Sequence, residues 1–196
     1  YVAGLGLRKG CAKSLPGYLC EAAGAKIVPG GSATNVVAGA SYLGAGCGFI
    51  GTLGSDGHGA AYRKDIAARK IIDFVSVLPG RSGVSYIFVT PDCEKTSIYD
   101  MGVSGDYRIS PEHIDCFSIF HTTGYELATN EARTMDALLH AYNSGVPISF
   151  DLGDPAIVQD MKSVMHGIVS HADIVFANEE ESKNFAGCNP HDAILS

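Results

Sequence analysis

Apolar positions along the chain follow two alternating rhythms. Short, nearly continuous apolar runs at 47–51, 117–121, 147–152 and 173–177 read as buried strands. Between them, residues 32–43, 60–69, 129–143, 158–169 and 179–186 carry the three-to-four spacing of helices, with Ser32 placed as an N-cap and Ser144-Gly145 as a stop. Ser110-Pro111-Glu112 predicts a short helix with proline in its first turn. Residues 70–79 mix β-branched positions into an edge strand. The runs 84–89 and 95–99 flank the turn-rich Thr90-Pro91-Asp92-Cys93-Glu94 and predict a hairpin. Residues 102–106 then return the chain to the main layer. Apolar strands alternating with helices imply a parallel sheet covered on both faces. Ligands of such sheets gather at the C-terminal ends of the strands, and Gly124, Asp151, Asp154 and Asn178 each follow a strand.

Composition narrows the function classes. The chain has 196 residues, 46% hydrophobic and 18% charged, enough apolar material for a core and unlike a disordered segment. Fourteen basic against twenty-one acidic residues leave a net charge of -7. Without a basic run, this argues against nucleic acid and anionic membranes as partners. A small phosphorylated ligand stays open, because backbone N–H groups and a metal can neutralise phosphate locally. The six cysteines have neither CxxC spacing nor a dense framework, and reduced thiols in a cytoplasmic protein are expected. No apolar run approaches the roughly 20 residues of a membrane span. No signal peptide is visible, although the first residue is Tyr1 and the true start can lie upstream. The seven histidines lack metal-ligand spacing; His121, on an apolar strand, reads as a satisfied core residue.

The most specific stretch is Pro29-Gly30-Gly31-Ser32-Ala33-Thr34-Asn35, followed by Leu43-Gly44, a strand, and Gly54-Ser55-Asp56-Gly57-His58-Gly59. Isolated glycine pairs mark turns, but this ordered set resembles the signature of the ribokinase-like (PfkB) family of sugar and nucleoside kinases. Asp173-Ile174-Val175-Phe176-Ala177-Asn178-Glu179-Glu180-Glu181 is similar to that family's Asn-x-x-Glu motif. Gly124-Tyr125 and Phe150-Asp151-Leu152-Gly153-Asp154-Pro155 resemble the adenosine kinase branch and its bacterial relatives. The likeness runs over nearly the whole chain. It implies a ribokinase-like three-layer α/β sandwich with a small β-sheet lid. Residues 1–30 and 83–104 would supply lid-associated strands, and 31–82 and 105–196 an α/β core incomplete at its C-terminus.

By this resemblance Gly30, Gly31 and Asn35 bind substrate. Glycine lets a sugar approach the backbone, and an amide matches vicinal hydroxyls; the plainer alternative is a helix-entry turn with a solvated asparagine. Asn178 and Glu181 would order Mg²⁺, its waters and phosphate, against the alternative of a helix start favoured by acidic residues. Asp56 would belong to the substrate-side rim or merely cap its helix. Lys95 stands where the branch commonly shows arginine, and could meet phosphate only as a point charge. Asp151 and Asp154 would line the crevice without taking part in attack. The catalytic glycine-aspartate loop of the family is not among these residues, so the base aspartate is expected beyond Ser196 and the 196-residue fragment is expected to be inactive. The implied activity is ATP-dependent phosphorylation of a primary hydroxyl of adenosine or a related nucleoside, with ATP and Mg²⁺. Alternatives are a sugar kinase of ribokinase or fructokinase type, or a non-catalytic nucleoside- or sugar-binding member. Homodimerisation through the lid is a further expectation.

Overall fold

The computed structural model describes residues 10–11, 27–89 and 95–188. In chain order these form β1 (Gly10–Cys11), α1 (Ser32–Tyr42), β2 (Gly48–Gly54), α2 (Gly57–Ala68), β3 (Ile72–Leu78), β4 (Val84–Val89), β5 (Lys95–Asp100), a 3-10 turn (Gly102–Gly105), α3 (Pro111–Asp115), β6 (Phe120–Thr123), α4 (Gly124–Thr129), α5 (Glu131–Asn143), β7 (Ile148–Asp151), α6 (Pro155–Val169), β8 (Ile174–Phe176) and α7 (Glu179–Ala186).

Three sheets result. β6, β7 and β8 pair in parallel in that order, β2 and β3 pair in parallel, and β4 and β5 form the antiparallel hairpin that β1 joins along β5. The α/β alternation is therefore as expected, with the parallel strands divided between two sheets among the described residues. The expected turn at 90–94 and the side chain of Lys95 lie outside those residues.

The main core lies where α5 and α6 pack against β6–β7–β8. Phe150, Leu127, Leu152, Val158 and Met165 are almost wholly buried there. Phe150 alone contributes about 2–3 kcal/mol by burial. The second parallel sheet rests on a smaller cluster of Cys47, Ile66 and Ile71. Cys47, Cys116 and Cys188 are free thiols. No helix among the described residues is long and apolar enough to cross a membrane.

Several boundaries differ from the sequence reading. Gly31, at φ 121, and not Ser32, is the N-cap of α1, so the Ser32 hydroxyl is released from capping. β2 continues to Gly54, because Thr52 and Gly54 pair with Ser76 and Leu78 through backbone alone. The strand expected at 117–121 begins only at Phe120; Phe117 instead sets its ring edge-on to Phe74, with centroids 6.1 Å apart. The helix expected over 129–143 begins two residues later, at Glu131, where Asn130 (φ -153, ψ 84) accepts from Arg133 N–H and caps it; Thr129 closes α4.

Candidate functional site

The strands β6, β7 and β8 end level. Thr123 pairs with Asp151, and Asp151 with Phe176, so the segments after all three strands emerge on one edge. Each segment turns directly into a helix, and each turn is built by side chains that satisfy the free N–H groups of the first turn.

Thr123 caps α4 in a reciprocal box: its hydroxyl accepts from Tyr125 N–H at 3.1 Å, and its own N–H donates to Glu126 at 3.0 Å. The Glu126 carboxyl is buried, which raises its pKa; bonds from Thr123 oppose the rise and the nearby Asp151 adds to it. At Gly124 a Cβ would lie 2.2 Å from the Leu152 carbonyl oxygen, so only glycine lets the first turn of α4 come this close to the β7–α6 loop. In that loop Asp151 accepts from Gly153 N–H at 3.0 Å, and Asp154 caps α6 by accepting from Ala156 N–H at 2.8 Å.

The third turn holds Asn178 and Glu181. Asn178 Oδ1 accepts from Glu181 N–H at 2.9 Å, Glu181 accepts from Asn178 N–H at 2.9 Å, and the two side chains bond at 2.6 Å. Glu181 is only 5% exposed. Burial raises its pKa, the bond from Asn178 N–H opposes the rise, and Asp151, Asp154 and Glu180 push it further up. Tyr125 is raised as well, first by burial and then by Tyr99, Asp154, Glu181 and Asp151. Asp151, Asp154, Glu181 and Tyr125 therefore share one electrostatic environment.

The start of α1 closes this edge. Ser32 Oγ donates to Asp151 Oδ2 at 3.4 Å across 119 residues of sequence, which carries Gly30 and Gly31 to the ends of the strands. Asn35 is exposed on the first turn of α1, and its amide has no partner among the described residues. Behind it, Thr34 is buried and bonded to the Tyr62 hydroxyl, whose pKa burial pushes up to about 12. The hairpin leans in from the other side, with the ring of Tyr99 6.5 Å from that of Tyr125.

The structure thus brings together Gly30, Gly31, Asp151, Asp154, Asn178 and Glu181. Asp56 makes its bonds elsewhere, to Gly59 and Ser82. Ser32, Thr123, Tyr125 and Glu126 escaped the sequence reading as site residues. Thr123-x-x-Glu126 is a legible capping pattern, whereas nothing local marks Ser32 as a partner of Asp151. His121 is a correction. Its Nδ1 bonds Ser149 Oγ at 2.9 Å, but Nε2 is buried without a partner among the described residues. Burial lowers its pKa, with Asp151 and Ser149 acting in the opposite sense.

Among the described residues no three His, Cys, Asp or Glu side chains converge to hold an ion directly. The donor set fits Mg²⁺ held through water: a buried carboxyl beside two further aspartates, with burial and like charge both opposing its ionisation.

A likeness to known proteins extends over most of the chain. The family model described as "pfkB family carbohydrate kinase" matches residues 9–195. An ATP-dependent ribose-1-phosphate kinase of Halopiger xanaduensis is 30% identical over 155 residues, 78% of this chain and 50% of that protein. The adenosine kinase of Sinorhizobium meliloti superposes with a TM-score of 0.78 at 24% identity, covering 84% of this chain and 54% of that one. The adenosine kinase of Anopheles gambiae, in complex with P1,P4-di(adenosine-5) tetraphosphate, gives 0.80 at 18% identity, covering 91% and 60%. The chain spans about half the length of the curated relative it matches. With a family match from residue 9 to residue 195 and the ribokinase-like arrangement of sheets and helices behind it, the chain belongs to the pfkB family of carbohydrate kinases.

Proposed function

We propose that these residues form the acceptor-binding part of an ATP-dependent kinase that phosphorylates a primary hydroxyl of adenosine or a related nucleoside. The observation that carries this reading is the bond from Ser32 to Asp151, which holds the Gly30-Gly31 turn against the level ends of β6, β7 and β8. Backbone bare of side chains at that turn gives vicinal hydroxyls room to approach, and the Asn35 amide, unpartnered among the described residues, can donate to one and accept from another. Tyr99 and Tyr125 supply aromatic surface beside the same edge, suited to a flat base. Asn178 and Glu181 fix the start of α7, and Mg²⁺ held there through water would offset charge on the transferring phosphates. No residue here is given the role of general base; that role goes to the glycine-aspartate loop of the family, which these residues do not include.

A second reading has its own support. The Halopiger relative at 30% identity is named for ribose 1-phosphate, which favours a sugar or sugar phosphate as acceptor.

The test is ADP release by the longer protein with adenosine, ribose, ribose 1-phosphate and fructose. Adenosine should give the highest kcat/KM, and Asn35→Ala should raise the acceptor KM roughly ten-fold with the ATP KM nearly unchanged. A preference for ribose 1-phosphate replaces the nucleoside reading. Acceptor binding without turnover makes the protein a non-catalytic member.

A further inference from the structure

The hairpin sheet β1–β5–β4 joins the α/β layer through two crossings, Arg81–Gly83 on the way out and Gly102–Ser104 on the return. The crossings bond to each other: Val103 N–H donates to Arg81 O at 2.9 Å, Gly83 N–H to Ser104 Oγ at 2.9 Å, and Arg81 pairs with Asp100 at 2.9 Å. The Asp56 carboxylate ties this pair to the core. Asp56 Oδ1 accepts from Gly59 N–H at 2.9 Å and from Ser82 Oγ at 2.7 Å, and Oδ2 accepts from Ser82 N–H at 3.0 Å. Ser82, itself buried, accepts from Gly54 N–H at 2.9 Å.

The packing leaves little play. A Cβ on Gly54 would stand 2.4 Å from Gly80 O and 2.5 Å from Ser82 N, so the end of β2 touches the outgoing crossing backbone to backbone. Burial works against the charge of Asp56, yet the bonds from Ser82 and Gly59 and the nearby His58 hold its pKa below the usual carboxylate value. Both oxygens are engaged by the protein, so the carboxylate acts on the hairpin and not on a ligand.

We infer that Asp56 is a positioning residue: through Ser82 it fixes the junction from which the hairpin projects, and so sets where Tyr99 meets Tyr125 at the strand ends. This inference deepens the acceptor-site reading and rests on it for its kinetic consequence alone. A carboxylate receiving three hydrogen bonds is a stiff joint, because each bond to a charged partner is about twice as strong as a neutral one. Loosening it shifts the hairpin as a body, since the two crossings remain bonded to each other.

The experiment compares the longer protein with its Asp56→Asn and Ser82→Ala variants by hydrogen–deuterium exchange and by steady-state kinetics. Exchange should rise roughly ten-fold in peptides covering 84–89 and 95–100, and stay unchanged in 148–169. The acceptor KM should rise by a similar factor, with the ATP KM held. Faster exchange across both regions together, or unchanged exchange in the hairpin, overturns the inference. If Asp56→Asn does not fold, Ser82→Ala decides on the same criteria, since it removes the hydroxyl that links Asp56 to Gly54 N–H and keeps the backbone bond from residue 82 to Asp56. If the parent protein turns over no acceptor, the acceptor-site reading fails while the exchange comparison still decides the junction.

Discussion

At the residue scale Glu181 is the most informative side chain. It is held by Asn178 through three hydrogen bonds, so its position belongs to the cap of α7 whether or not a ligand is present. Its protonation is another matter. The pKa is raised in the folded chain by burial and by Asp151, Asp154 and Glu180, above the unfolded value of about 4.3. The folded state therefore binds this proton more tightly than the unfolded one. The resulting stability is fully present below the unfolded value and is lost as pH rises through the folded one. Ionisation of that carboxyl works against burial and its acidic neighbours, and a hydrated cation at the proposed Mg²⁺ site would offset that cost. In the longer protein, Mg²⁺ should raise the Tm at pH 7, and Glu181→Gln should abolish most of the rise and flatten the loss of stability with increasing pH. Glu180→Gln, on the exposed side of the same turn, should keep the Mg²⁺-dependent rise and flatten the pH dependence only weakly, since Glu180 is the last and smallest contributor to the Glu181 shift. Equal responses from both variants would show that the acidic turn serves only the helix dipole. The pair Asn178 and Glu181 was legible because a capping box and a family motif coincide there. Ser32 was not, because its partner lies 119 residues away.

Elements were legible where start and stop signals agreed with the apolar rhythm. Residues 179–186 are helical as expected, since Asn178 caps the start and Gly187, at φ 72, the end. The hairpin strands follow the predicted runs, β5 extending one residue further to Asp100. Errors arose where an apolar residue served packing instead of the local element. Phe117 reads as strand but packs on Phe74. Residues 129 and 130 read as part of the helix that begins at Glu131 because the apolar spacing outweighed the cap signal of Asn130. The short α4 was missed for a related reason: its start is defined by close approach at Gly124, a tertiary property. Gly124→Ala tests that account. The added methyl would overlap the Leu152 carbonyl and press on Met165, costing about 3 kcal/mol and lowering the Tm by roughly 5–10 °C. Because Leu152 leads directly into Gly153 and Asp154, the acceptor KM should rise in the folded fraction too. A Tm within about 1 °C of the parent would show that α4 can withdraw from the loop freely.

At the scale of the whole molecule, apolar surface is distributed unevenly. The face of β6–β7–β8 under α5 and α6 is closed, with Phe150 and Val158 fully buried. On β8, however, Ile174, Val175 and Phe176 are 43%, 40% and 54% exposed. β8 pairs only with β7 among the described residues, so its outer edge also presents unpaired backbone groups. Exposed edge and exposed apolar side chains together form a template for another chain. The same is true, more weakly, of β4, where Ile87 and Val89 stand outward on alternate positions. The net charge of -7 opposes association, but at an ionic strength of about 0.15 M it is screened within about 8 Å, whereas burial of apolar surface is not. The 196-residue chain, prepared alone, should therefore self-associate, with an average mass by light scattering that rises with concentration across the micromolar range. Phe176→Ser combined with Val175→Thr should reduce that mass more than Ile87→Ser combined with Val89→Thr, because on β8 the apolar side chains and the open edge coincide. A strictly monomeric parent at every concentration would show that the β8 edge is protected, and a larger effect from the β4 pair would move the association surface to the hairpin.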